Sequence, residues 1–138
     1  MLEEETYIEI PSLEYLAGLF DGEGSIFLAQ GKKYYYLRVG INITHELTPR
    51  LFHKCFGGNL GIIPPKGNSK QQWYWRAAGE DALSFLITIY PYLIIKRGQA
   101  ELGIKFQERK KGWFHTDAGT ELDNVDKRLM AILNKRGI

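Results

Sequence analysis

The stretch "YLAGLFDGEGSIFLAQ", residues 15–30, changes character half-way along. Leu13, Leu16, Ala17 and Phe20 fall at i, i+3, i+4 and i+7, the spacing of one helix face, and Ser12 is placed to cap it. From Ser25, "SIFLAQ" reads as a strand. Between the two lie Asp21 and Glu23, interleaved with Gly22 and Gly24, which are expected to stop the helix. Two carboxylates at the end of a helix that must pack against something call for a reason.

Downstream, "GKK" predicts a turn and "YYYLRVGINIT" a second strand, giving an antiparallel hairpin. In that strand Leu37, Val39, Ile41 and Ile43 alternate with Tyr36, Arg38, Gly40, Asn42 and Thr44. One face is apolar and the other polar and basic, as for a sheet with one side on a core. "TPRLFHKCF" predicts a short helix with Thr48 as cap and Pro49 at its first position. "LGIIPP" and "QQWYWRAAG" read as two further strands around the polar loop "KGNSK". "EDALSFLITIYPYL" is a helix that Pro91 ends or kinks, "GQAELGIKFQER" is another, and "ELDNVDKRLMAILNKRG" is a last amphipathic one. The expected fold class is α+β, with an α-β-β-α-β-β-α core: a four-stranded antiparallel sheet with helices packed on one face. A single domain is expected over residues 1–138, with residues 1–11 as an N-terminal extension and 109–138 as a C-terminal tail and helix.

With 44% apolar and 25% charged residues, the composition is that of an ordinary globular protein. No apolar run reaches the length of a membrane span, and the acidic start "MLEEETYIEIP" is no secretory signal, so no membrane partner is expected. The lone Cys55 forms no internal disulfide, reads as a small buried residue and suits a reducing, intracellular compartment. The net charge of +2 hides a strong asymmetry. Residues 1–31 carry seven acids and no Lys or Arg; residues 32–78 carry eight bases against one acid, Glu46. A basic middle interleaved with Tyr, Trp, Asn and Gln is the composition of a nucleic-acid surface. Ser25, Gln30, Tyr36, Arg38 and Asn42 on the first hairpin, and Lys66, Lys70, Gln72, Tyr74 and Arg76 on the second, are the expected DNA contacts, with Arg50 nearby. Arg suits guanine edges, and Asn or Gln adenine. The parity of "QQWYWRAA" is ambiguous between Gln72/Tyr74/Arg76 and Gln71/Trp73/Trp75 facing outward. The first is preferred because the tryptophans fit a core.

The nine residues "LAGLFDGEG", Leu16–Gly24, resemble the signature that names the LAGLIDADG homing endonucleases, departing from it at Phe20, Gly22 and Glu23. "YPYLIIKRGQAEL", Tyr90–Leu102, resembles a second segment of that family, and the resemblance spans roughly residues 13–108. It implies a site-specific endonuclease making a double-strand break in a long pseudo-palindromic DNA. Glu23 would be the essential metal ligand, the Gly22 carbonyl a further one, and Asp21 a secondary one with a structural part near the turn. Mg²⁺ is the implied cofactor, with Mn²⁺ substituting and Ca²⁺ supporting binding without cleavage; hard oxygen ligands suit such ions. Lys96 would lie near the scissile phosphate, with Arg97 beside it, and His45 would orient water. One motif per chain implies a homodimer packed through Leu13, Leu16, Ala17, Gly18 and Phe20, where small residues let two helices approach closely. By the same resemblance the gene would be intron-encoded. The alternatives are an RNA-splicing maturase and a non-catalytic DNA-binding protein on the same scaffold.

Overall fold

The computed structural model describes residues 9–112 and 117–135. The first eight residues of the expected N-terminal extension, and residues 113–116 of the tail with His115 among them, lie outside the described residues. The elements run α1 (Leu13–Glu23), β1 (Gly24–Gln30), β2 (Tyr35–Ile43), α2 (Leu47–Phe56), β3 (Asn59–Ile63), β4 (Gln72–Ala78), α3 (Gly79–Ile89), a 3₁₀ turn (Tyr90–Tyr92), α4 (Arg97–Gly112) and α5 (Asp117–Lys135). The fold is α+β, with one antiparallel sheet of order β1-β2-β4-β3. Each hairpin pairs internally, and β2 joins β4 at the centre. No helix among the described residues is long and apolar enough to cross a membrane.

Local chemistry explains most boundaries, and corrects two expectations. Ser12 caps α1, its hydroxyl accepting from the Tyr15 amide at 3.1 Å. Gly22 does not stop this helix, which runs on through Glu23 to Gly24. Gly24 is already the first residue of β1, so helix passes to strand without a loop. The Phe20 ring fills the space a Cβ at Gly24 would need, with the nearest ring carbon only 2.3 Å from it. The second correction concerns α2: Thr48 is not its cap, because the helix begins at Leu47 and Thr48 is buried inside its first turn. Gly57 ends α2 at φ 72°, a left-handed conformation open to glycine. Its carbonyl accepts from the Trp75 indole at 2.7 Å.

The core lies between the sheet and the helices. Ile26, Leu28, Leu37, Val39, Ile41, Trp75 and Ala77 face Leu16, Ala17, Phe20, Phe52, Phe85, Leu86 and Phe106. At its centre the Phe85 ring meets Phe56 at 4.7 Å, Trp75 at 4.8 Å and Phe20 at 4.9 Å between centroids. Cys55 is half-buried against this cluster, and burial raises its thiol pKa. The last helix has a clear task. Lys127 Nζ and Asn134 Nδ2 of α5 donate to the carbonyls of Leu28 (2.7 Å) and Ile26 (3.0 Å). Both acceptors lie on the edge strand β1, so α5 covers an edge that otherwise invites pairing with another chain. Arg109 of α4 holds α5 in place through Asp123 (2.6 Å) and Asp126 (2.9 Å), both buried, and Lys110 also pairs with Asp123.

Phe85→Ala removes the ring shared by four aromatic neighbours, Phe20, Phe52, Phe56 and Trp75, and is expected to cost about 3–5 kcal/mol. Urea unfolding followed by tryptophan fluorescence measures it; a loss below about 1 kcal/mol would mean that the cluster repacks freely.

Candidate nucleic-acid interface and acidic helix end

Strand register sorts the sheet into two faces. Ile26, Leu28, Leu37, Val39, Ile41, Trp75 and Ala77 point to the helices and are buried. The alternate residues form an open face: Ser25 and Phe27 on β1; Tyr36, Arg38, Gly40 and Asn42 on β2; Gln72, Tyr74, Arg76 and Ala78 on β4; Asn59, Gly61 and Ile63 on β3. No acidic residue stands among these positions. The parity of β4 is thereby settled, with Trp75 fully buried and Trp73 half-buried on the helix side.

Seven of the expected DNA contacts share this face: Ser25, Tyr36, Arg38, Asn42, Gln72, Tyr74 and Arg76. The other four lie at the chain's surface without sharing the face. Gln30 is a correction, since its register with Tyr35 puts it on the helix-side parity, where its amide nitrogen donates to the Gly31 carbonyl at 3.3 Å. Lys66 and Lys70 are exposed in the β3–β4 loop, where the Ser69 hydroxyl donates to the Lys66 carbonyl at 2.6 Å and closes a tight turn. Arg50 stands on α2, off the sheet, with its guanidinium 2.6 Å from Glu46. Phe27 and Asn59 join the face unforeseen; Phe27 alternates with the buried Ile26 and Leu28. The Arg38 guanidinium lies 4.6 Å from the Phe27 ring centroid, and that of Arg76 lies 3.9 Å from the Tyr74 ring centroid.

The acidic end of α1 abuts this face through the Glu23–Gly24 junction. On a helix, residues two apart point about 200° away from one another, so Asp21 and Glu23 cannot share a direction. Glu23 is exposed, and Asp21 is turned inward and buried. The Asp21 carboxylate accepts three backbone hydrogen bonds: Oδ2 from the Ile94 and Ile95 amides (both 2.9 Å), and Oδ1 from the Lys96 amide (2.8 Å). Burial works to raise its pKa, but the three amides and the Lys96 charge prevail and hold it below the ordinary 3.8. With both oxygens engaged, Asp21 is an anchor for the turn that opens α4, which corrects its expected part as a metal ligand.

Lys96 completes the junction. Its Nζ donates to the Asp21 carbonyl at 2.8 Å, at the C-terminal end of α1 where a cation is favoured. Burial lowers its pKa, opposed by the charges of Asp21 and Glu23. Glu23, the Gly22 backbone and Lys96 are therefore gathered at one place. His45 lies just beyond β2, exposed, with Nδ1 3.1 Å from Thr48 Oγ1. Among the described residues no group of three or more His, Cys, Asp or Glu side chains assembles that would hold a metal ion.

Of the residues expected to pack two chains together, Leu16, Ala17 and Phe20 are buried in this chain's own core, which corrects their assignment. The open side of α1 instead presents Tyr15, Gly18 and Gly22, and the two glycines, one turn apart, have nothing within 4 Å of where a Cβ would stand; Leu13 is exposed at the helix start, on the face it shares with Leu16, Ala17 and Phe20.

The Asp21 anchor has a pH signature. Its carboxylate contributes stability that is present above the unfolded value near 4 and is lost as pH falls through the lower folded value. In metal-free protein, Asp21→Asn is expected to cost about 2 kcal/mol at pH 7, with the gap to wild type closing below about pH 4. Urea midpoints at pH 7 and pH 3 test this; equal stability at pH 7 would refute the anchor.

No protein-family model and no curated protein matches the chain by sequence. Solved structures do match it by shape. The homing endonuclease I-CvuI, in complex with its target in the presence of calcium, aligns at TM-score 0.72 and 17% identity, over 88% of this chain and 80% of that one. The archaeal intron-encoded homing endonuclease I-Vdi141I, complexed with DNA, aligns at TM-score 0.74 and 12% identity, over 88% and 82%. The LAGLIDADG homing endonuclease I-GzeII, in complex with a DNA target, aligns at 0.72 and 22% identity; the same 88% of this chain spans 44% of that protein. The order of strands and helices, the open sheet face and the helix that ends at its margin together give the chain the LAGLIDADG homing-endonuclease fold.

Proposed function

We propose that this chain is a homing endonuclease that acts as a homodimer and makes a metal-dependent double-strand break in a long pseudo-palindromic DNA. The observation that carries the reading is the junction at Glu23–Gly24. There a free carboxylate and a lysine stand at the margin of a sheet face that bears arginine, asparagine, glutamine and tyrosine and no acid. Recognition and chemistry are thus adjacent in one chain. A twisted antiparallel ribbon fits the major groove, where such side chains reach base edges.

The donor set fits a hard divalent cation. Glu23 supplies an exposed carboxylate, and the Gly22 carbonyl is one that the helix end leaves without an amide. One carboxylate per chain is too few for a protein-only site, but Mg²⁺ retains waters and takes phosphate oxygens as ligands. Two chains packed along the open side of α1 would bring two Glu23 carboxylates to one axis. When bound, the ion supplies a hydroxide-generating centre and stabilises the leaving oxygen. The rest falls to the protein. Lys96, fixed by the Asp21 carbonyl, holds a positive charge toward the phosphate as negative charge develops. His45, steadied by Thr48, orients water at the end of β2. The calcium and magnesium named with the I-CvuI complexes support divalent ions as the cofactor class. Mn²⁺ is expected to substitute and Ca²⁺ to support binding without cleavage. An intron-encoded origin and an intracellular site of action belong to the same reading.

Glu23→Gln is expected to abolish cleavage of a DNA selected from a pseudo-palindromic library with Mg²⁺, while binding in Ca²⁺ is retained. Cleavage by the variant at the wild-type rate would overturn the assignment of Glu23. Light scattering is expected to report about twice the 15.9 kDa chain mass. A monomer that cuts both strands would overturn the shared site, and retention of a structured RNA without any DNA cleavage would favour a maturase.

A further inference from the structure

The open face contains one construction that its residue types alone do not explain. Tyr74 and Arg76 are two apart on β4 and share the face, and the Arg76 guanidinium lies 3.9 Å from the Tyr74 ring centroid, a face-stacking separation. The ring itself lies flat. Gly61, directly opposite Tyr74 in the register, has its would-be Cβ 2.3 Å from Tyr74 Cζ and 2.4 Å from its hydroxyl oxygen. Any side chain at 61 would force the ring up. Opposite Arg76 stands Gly40, where a Cβ would meet the Trp75 carbonyl at 2.9 Å and Arg76 Cγ at 3.2 Å. Glycines inside strands weaken them unless something must come close. Here two glycines flank β4 on its two sides, each opposite one member of the stacked pair.

We propose that Tyr74 is a positioning residue, laid flat over Gly61, that holds Arg76 ready to read a guanine in each half-site. The inference rests on the endonuclease reading for its ligand, double-stranded DNA. A free arginine loses rotamer freedom when it binds a base edge. One already stacked on an aromatic face has lost part of it beforehand, and its five donors remain at the edge of the guanidinium plane. The acceptor pair that matches this fork in the major groove is guanine O6 and N7. No carboxylate on the face competes for Arg76, because the open-face positions hold no acid. The hydroxyl of Tyr74 is dispensable here; the ring is what carries the guanidinium.

The experiment is a binding selection in Ca²⁺ from a randomised duplex library, read as base preference at every position. Wild type is expected to select guanine at one position of each half-site, and Arg76→Lys to lose that preference while keeping overall DNA retention. Tyr74→Leu is expected to lower the same preference about tenfold and leave other positions unchanged, whereas Tyr74→Phe retains it. Gly61→Ala, which lifts the ring from the opposite strand, is expected to reproduce the Tyr74→Leu profile; urea midpoints confirm that each variant is folded. Weakened binding with an unaltered base profile in Tyr74→Leu and Gly61→Ala would overturn the platform while leaving the endonuclease reading intact. Failure of the wild type to retain any duplex would overturn both.

Discussion

The rest of the structure hangs on a reciprocal pair of contacts between α1 and the turn that opens α4. The side chain of Asp21 accepts the amides of residues 94, 95 and 96, and the side chain of Lys96 donates to the backbone carbonyl of Asp21. A buried carboxylate is costly unless its lone pairs are filled, and charge-assisted bonds from three amides fill them. The lysine meets the carbonyl end of one helix while the carboxylate meets the amides at the start of another, so both charges follow the helix dipoles. Sequence separation of 73 to 75 residues is closed by four hydrogen bonds. Glu23 is left facing out as a consequence, because the same helix cannot point it where Asp21 points.

That division of labour marks the limit of what the sequence discloses. The α+β class, the element order, the alternation of β2 and the buried tryptophan of β4 are all legible, because period-two and period-3.6 patterns report which side of an element is wet. The extent of α1 is not. Two glycines beside two acids read as a helix stop, yet the helix continues through Gly22 because Asp21 is anchored by residues far along the chain. Once the helix is one turn longer, the acids separate and only Glu23 faces outward. Leu16, Ala17 and Phe20 mislead for a related reason. An apolar face on a helix declares that something covers it, and here the sheet and α3 do so, leaving the glycine face of α1 for any partner.

Arg50 and Gln30 show a second limit. Composition places a basic or amide side chain near an interface but says nothing of the element beneath it. Arg50 is carried by a helix and paired with Glu46, and Gln30 falls one register step from the face it was expected to join. A shift of one residue moves a strand side chain to the opposite side of the sheet, so end positions are the least legible of all. The converse case is Phe27, apolar and yet on the open face, where it lies beneath the Arg38 guanidinium.

Those stacked arginines bear on how a sheet can leave one face uncovered. An exposed apolar face invites association with other chains, and an exposed arginine alone is mobile and well hydrated. Stacking one on the other moderates both: Phe27 and Tyr74 are roofed by cations, and the cations are confined to the face. The Arg38 Nε atom is buried without a hydrogen-bond partner, the sole such side-chain atom among the described residues, so the contact is made at some polar cost. A fold concerned with stability alone gains nothing from that arrangement, since a threonine or valine on the same strand would pack without an orphaned donor. On the proposed reading that cost has a use: a molecule arriving from outside meets the remaining donors of a guanidinium already held on the face, while the buried Nε itself stays out of its reach.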